Sequence, residues 1–160
     1  VNTTSIRAAF TSWPHCVATY VCLIGAAWLL AFGWKPDRSR DPVPVVSEKA
    51  GHDARVFAEA SGGRVFWVNH TGSMKPLLLG GEFVVVVSRW PARPGDVIGY
   101  WPTFRTETGN PLVHRVAAED KDGLILSGDS APHTESWARV TRDNYIGTVV
   151  AIYRPATKAD

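Results

Sequence analysis

Glu82–Trp101 reads EFVVVVSRWPARPGDVIGYW, two β-branched runs on either side of a Pro-Gly-Asp turn. Four consecutive valines, Val84 to Val87, predict a strand covered on both faces, because a strand with one wet face alternates apolar and polar residues. Pro94-Gly95-Asp96 supplies the turn, and Asp96–Trp101 the next strand. The same rhythm continues outward through RVFWVNH (Arg64–His70), PLVHRVAA (Pro111–Ala118), GLILSG (Gly123–Gly128) and YIGTVVAIY (Tyr145–Tyr153), with Asp122-Gly123 as a further turn. The pattern predicts a mainly β domain over residues 64–155, followed by a short tail at 156–160.

Upstream the composition changes. The 160 residues, 45% hydrophobic and 20% charged, suffice for one globular domain and not for two. Between Arg7 and Lys35 there is no charged side chain, and His15–Trp34, HCVATYVCLIGAAWLLAFGW, matches the roughly 20 apolar residues that span a hydrocarbon core. Residues 1–35 are therefore expected to be a tail and one transmembrane helix, flanked by Trp13 and Trp34, with Pro14 in a first helical turn. Two readings compete: a buried core helix, although one apolar all round is rare in so small a domain, and a cleaved signal peptide, since Ala31-Phe32-Gly33 resembles a small-x-small cleavage site. The apolar run, however, exceeds the about 7 to 15 residues of such segments. Arg7 precedes the span while Lys35, Arg38 and Arg40 follow it, so charge leaves its direction open.

Residues 36–63 are expected to link the two. PDRSRDPVPVV (Pro36–Val46) reads as a stiff, exposed spacer holding the domain off the bilayer, and SEKAGHDARVFAEA (Ser47–Ala60) as one short helix with Ser47 as N-cap, ended by Gly62 and Gly63.

Several classes of function find no support. A net charge of +2, from 17 basic and 15 acidic residues without blocks, gives no field for nucleic acid. Cys16 and Cys22 fall on different faces of a helix, so a disulfide between them is not expected. There is no glycine-rich phosphate loop and no Cys or His pair at zinc-ligand spacing, so neither metal nor cofactor is expected.

What remains is a hydroxyl, an imidazole and carboxylates: Ser73 in a turn, His114 in a strand, and Asp129 and Glu135 in the Gly-Asp-Ser loop. A serine hydroxyl attacks an acyl carbon only when a base takes its proton, and neutral imidazole is the usual base near neutral pH. Alternation in Leu112–Val116 puts Leu112, His114 and Val116 on one face and turns Arg115 away. Each residue also has an ordinary structural explanation, as a turn serine, a core histidine and a turn aspartate. The residue types alone leave function open.

The order of short motifs narrows it. Thr71-Gly72-Ser73-Met74-Lys75-Pro76 resembles the Ser-Gly-Ser-Met-x-Pro box of type I signal peptidases, and Arg93–Ile98 resembles their Gly-Asp-x-Val segment. Val113-His114-Arg115-Val116 resembles their base-bearing box, and Leu126-Ser127-Gly128-Asp129-Ser130 their Gly-Asp-Asn box. These lie in family order between about Val65 and Tyr153. The place that holds lysine in the common bacterial version holds His114 here, as in the archaeal and endoplasmic-reticulum type.

That resemblance implies a signal-peptidase-like β domain behind one transmembrane helix, with Ser73 as nucleophile and His114 as base. It implies an oxyanion site made by the Ser73 N–H and the Thr71 hydroxyl, with Gly72 between them admitting a peptide backbone. Glu135 stands where the family has a second acidic residue, and is favoured as the group that orients His114. Asp129 is the other candidate, favoured as the residue that shapes the loop. Lys75 occupies the variable position of its box and has no implied role. Ser130 replaces the family's Asn, and Pro132-His133 its polar run.

The implied activity is a membrane-anchored serine endopeptidase acting on signal-peptide-bearing preproteins. The N-terminus would lie in the cytoplasm and the catalytic domain on the extracytoplasmic side, with Trp67, Trp90, Trp101 and Trp137 available either to the bilayer surface or to the core. A peptidase for a pilin or conjugation protein and an inactive module that binds signal peptides are the alternatives. Self-cleaving repressors share a related fold but use lysine and carry a DNA-binding head, in place of which this chain has its apolar segment.

Overall fold

The structure, a computed structural model, describes residues 37–102, 110–130 and 134–156, and of residues 134–138 only the backbone. The expected transmembrane segment, the Cys16 and Cys22 reading and Pro132-His133 lie outside the described residues. Among the described residues no helix is long and apolar enough to cross a membrane. All of them belong to one compact unit, Pro36–Asp160.

The unit is mainly β, an eight-stranded sheet curled into a half barrel. In chain order the elements are β1 (Val45–Ser47), α1 (Ala50–Ser61), β2 (Arg64–Trp67), β3 (Phe83–Val87), β4 (Val97–Tyr100), β5 (Leu112–Asp120), β6 (Gly123–Ser127), β7 (Thr134–Val140) and β8 (Tyr145–Pro155). Across the sheet the order is β2-β3-β8-β4-β5-β6-β7, with β1 pairing parallel to β8. β8 joins the two halves. Thr148 sits opposite both Val87 of β3 and Ile98 of β4, while Tyr153 sits opposite both Phe83 of β3 and Val45 of β1.

The valine run is covered on both faces, as its composition predicts. Val84 and Val86 pack into one core with Met74, Leu78 and Ile152, while Val85 faces Ala54 and Ala58 of α1. A second core, of Ile98, Tyr100, Val116, Leu124 and Leu126, fills the other half of the sheet.

Two upstream expectations need correction. Ser47 is not the N-cap: the backbone is still paired in β1 there, so α1 begins later and Lys49 takes that position. The Ser47 hydroxyl nevertheless ties down the first turn, accepting the Lys49 N–H at 3.0 Å and donating to Asp53. The helix ends at Gly62, whose φ is 66°. Nor does Pro36–Val46 act as a simple spacer. From Asp37 onward it lies against the domain and leads into β1, because its carboxylate Asp41 is drawn to a buried cation, Arg115.

Candidate active site

The turn that carries Ser73 belongs to the long connection from β2 to β3, and both flanks of that connection are tied to the fold. Met74, Leu77 and Leu78 are buried in the core. Downstream, the buried Glu82 accepts the N–H groups of Leu79 at 2.9 Å and Gly80 at 2.7 Å, and the Arg154 guanidinium at 3.1 Å. Hydrogen bonds to a charged carboxylate are the stronger kind, so Glu82 fixes the loop to β8 as well as to itself. Gly72 precedes the serine at φ 74°, a left-handed conformation that a side chain would strain.

His114 comes from β5. Its Nε2 lies 3.2 Å from Ser73 Oγ, and its Nδ1 lies 3.3 Å from the hydroxyl of Tyr100 on β4. The imidazole is buried, 8% exposed, whereas Ser73 is half-buried and open to a groove. Thr71 Oγ1 lies 3.2 Å from Ser73 Oγ. The Ser73 hydroxyl, the candidate base and the candidate oxyanion donor thus converge at one point.

Tyr100 was not among the residues singled out by sequence, yet the hairpin register explains its position. Ile98 is opposite His114 and Tyr100 opposite Leu112, so Tyr100 is the diagonal neighbour of His114 on the same face. Pairing Asp96–Trp101 with Pro111–Ala118 before assigning the site would have found it.

Arg115 points to the other face, as alternation requires, but it is fully buried rather than turned to solvent. Its Nε and Nη2 donate to both oxygens of Asp129 at 2.7 and 2.8 Å. Nη1 and Nη2 donate to Asp41 at 2.5 and 3.0 Å, and Nη1 also donates to the Gly95 carbonyl at 2.8 Å. All five N–H donors of the guanidinium are satisfied. Burial opposes the charge, but the hydrogen bonds from Asp129 and Asp41 outweigh it and raise the Arg115 pKa above its ordinary value.

This arrangement decides the place of Asp129. Its carboxylate bonds to Arg115 and not to His114, because adjacent residues of β5 face opposite ways. Through that pair Asp129 anchors the loop that grips the Ser73 turn. Ser130 Oγ donates to the carbonyls of Gly72 at 2.8 Å and Ser73 at 2.9 Å, and the Ser130 N–H donates to Ser73 O at 3.0 Å. At Gly128 an added Cβ would stand 2.7 Å from Ser73 O, so the approach requires glycine. Glu135 lies on β7, opposite Leu126, a segment that sequence treats as loop. Its side chain lies outside the described residues, as does that of Trp137.

Beside Ser73 runs a groove of about 290 Å³, lined by Val65–Asn69, by the Thr71–Met74 turn and by Asn110–His114. Two strand edges border it. β2 ends the sheet, and β5 pairs with β6 only from Arg115 onward, so among the described residues no strand covers either edge. Of the tryptophans, Trp67 lines the groove and is 53% exposed, Trp101 is exposed, and Trp90 packs edge-on against Tyr145 at 5.1 Å. Among the described residues no group of His, Cys, Asp or Glu is arranged to hold a metal ion.

No protein-family model matches the chain, and no curated protein matches it.

Proposed function

We propose that the chain is a membrane-anchored serine endopeptidase of the signal-peptidase type, which cleaves signal peptides from exported preproteins through a Ser73/His114 pair. The observation that carries this reading is Ser73 Oγ, 3.2 Å from His114 Nε2, in a groove between two strand edges that no described strand covers. An extended peptide pairs with such edges through its backbone and presents alternate side chains to the walls. Ser73 attacks the scissile carbonyl as His114 takes its proton. The oxyanion meets the Ser73 N–H and the Thr71 hydroxyl, and His114 then protonates the leaving amine. Water hydrolyses the acyl-enzyme by the same base.

The anchor is His15–Trp34, and small residues before the cut suit the resemblance that the Ser73 and His114 boxes bear. The test is incubation of full-length protein in detergent with a preprotein, with the products identified by mass spectrometry. One cut after a small residue, absent with Ser73→Ala, is expected. Binding of the preprotein without any cut would favour a tethered binding module instead.

The grip of the Gly-Asp-Ser loop on Ser73 gives a second expectation. Gly128→Ala drives a methyl against the Ser73 carbonyl and shifts the nucleophile. Turnover should fall about a hundredfold, the cost of roughly 1 Å of misplacement in a reacting group. Ser130→Ala, which keeps its backbone N–H bond, should lose less. Rates on one synthetic signal peptide rank the two, and the reverse order would refute the steric account.

A further inference from the structure

Four of the five residues from Asp37 to Asp41 are charged, and each charged side chain is engaged. Asp41 accepts two bonds from Arg115, at 2.5 and 3.0 Å, and Arg38 lies 3.7 Å from Asp129. Arg40 pairs with Asp96 at 2.8 Å and donates to the Pro94 carbonyl, while the Asp37 carboxylate accepts the Ser39 N–H at 3.0 Å. The Asp37 carbonyl accepts Arg115 Nη1 at 3.3 Å. Gly95, at φ 95°, makes room: a Cβ there would stand 3.1 Å from Arg40 Nη2 and 3.2 Å from Asp37 O. A solvated spacer needs none of these contacts.

We propose that Asp41 is a positioning residue for Ser73, acting through Arg115, Asp129 and Ser130, so that the segment ahead of β1 is a working part of the site. This rests on the proposed Ser73/His114 chemistry. The chain of contacts is continuous. Asp41 and Asp129 both hold the Arg115 guanidinium, and Nη2 donates to each. Ser130 follows Asp129 directly, and its hydroxyl and N–H hold the Gly72 and Ser73 carbonyls.

Burial makes this chain stiff. Arg115 and the Asp129 side chain are fully buried, and the Asp41 side chain is 14% exposed, so their charge-assisted bonds are little screened. Asp129 fixes the guanidinium through Nε and Nη2, and Asp41 through Nη1 and Nη2. Without the Asp41 charge, Nη1 keeps only the carbonyls of Gly95 and Asp37, and the guanidinium can tilt together with the loop it holds. A purely structural role differs: it would lower stability and leave the Ser73 turn unchanged in the protein that stays folded.

The test uses full-length protein in detergent. Amide hydrogen exchange at Ser130 and at Val84–Val86 is compared for wild type, Asp41→Asn and Arg40→Gln, with no substrate present. Arg40→Gln cuts the segment's pair with Asp96 and lies off the chain of contacts. The kcat and KM on one signal peptide are then measured for these proteins, for Ser130→Ala, and for the Asp41→Asn/Ser130→Ala double variant.

Asp41→Asn should speed exchange at Ser130 and lower kcat, each about fivefold, the scale of effects passed along packed contacts, with KM unchanged. Exchange at Val84–Val86 should not change, and Arg40→Gln should match wild type in both readings. In the Ser130→Ala background the Asp41 substitution should cost less than it does alone, because the last link is already weakened. Wild-type exchange at Ser130 in Asp41→Asn, an equal rise at Val84–Val86, or additive kcat losses would overturn the assignment. Failure of the peptidase reading shows separately, as equal fluorophosphonate labelling of wild type and Ser73→Ala, whereas exchange is read without any substrate.

Discussion

Ser73→Ala, His114→Ala and the double variant are expected to lose cleavage to the same extent, roughly a thousandfold or more below wild type. A nucleophile without its base and a base without its nucleophile fail at the same step, so the losses do not add. The geometry behind this is the 3.2 Å approach of Ser73 Oγ to His114 Nε2. Lys75→Ala is expected to keep near wild-type rates. Lys75 is exposed, and its stem folds over Gly72, with Cδ 3.7 Å from where a Cβ on that glycine would stand. Measured kcat/KM on one preprotein decides: additive losses, or a loss confined to Lys75→Ala, would remove His114 from the role of base.

The largest expected loss of stability lies one residue along. Arg115→Met leaves Asp129, whose side chain is fully buried, and Asp41, whose side chain is 14% exposed, without their shared cation. Removing one partner of a buried pair typically costs about 3–5 kcal/mol, a large share of the marginal stability of a small domain. Asp41→Asn should cost less, since Arg115 keeps its two bonds to Asp129. Tryptophan fluorescence during urea denaturation of the full chain in detergent measures both. An Arg115→Met protein as stable as wild type would show that the cluster is energetically idle. The substitution also loosens the anchor of Ser130, so activity should fall in whatever fraction stays folded.

How far the sequence reveals this protein depends on the range of each interaction. Val84–Val87 announces a strand with two covered faces because burial is written into adjacent residues. The six β runs read from sequence all contain observed strands for the same reason. β1 was missed because Val45-Val46 sits among prolines and its partner, Tyr153-Arg154, lies more than a hundred residues away. β7 was missed because Thr134–Val140 has weak alternation and follows a loop motif. Asp41 looked like linker charge, since nothing local says that Arg115 will be buried. In the candidate site, Ser73 and His114 stood out through their motifs, whereas Tyr100 depends on a register that only pairing fixes.

The position of β8 also bears on how the protein is made. Ser73 lies between β2 and β3, and His114 on β5, and no strand pairing links β3 to β4 or β5 directly. In strand pairing the two halves are joined by Tyr145–Pro155, the last of the described strands in chain order. The sheet that holds the hydroxyl and the imidazole in place is therefore complete only when that strand lies between their halves. Such long-range closure is slow relative to local folding, so the Ser73/His114 pair is expected to assemble late. On the proposed function, completion of the sheet is the step that turns the chemistry on.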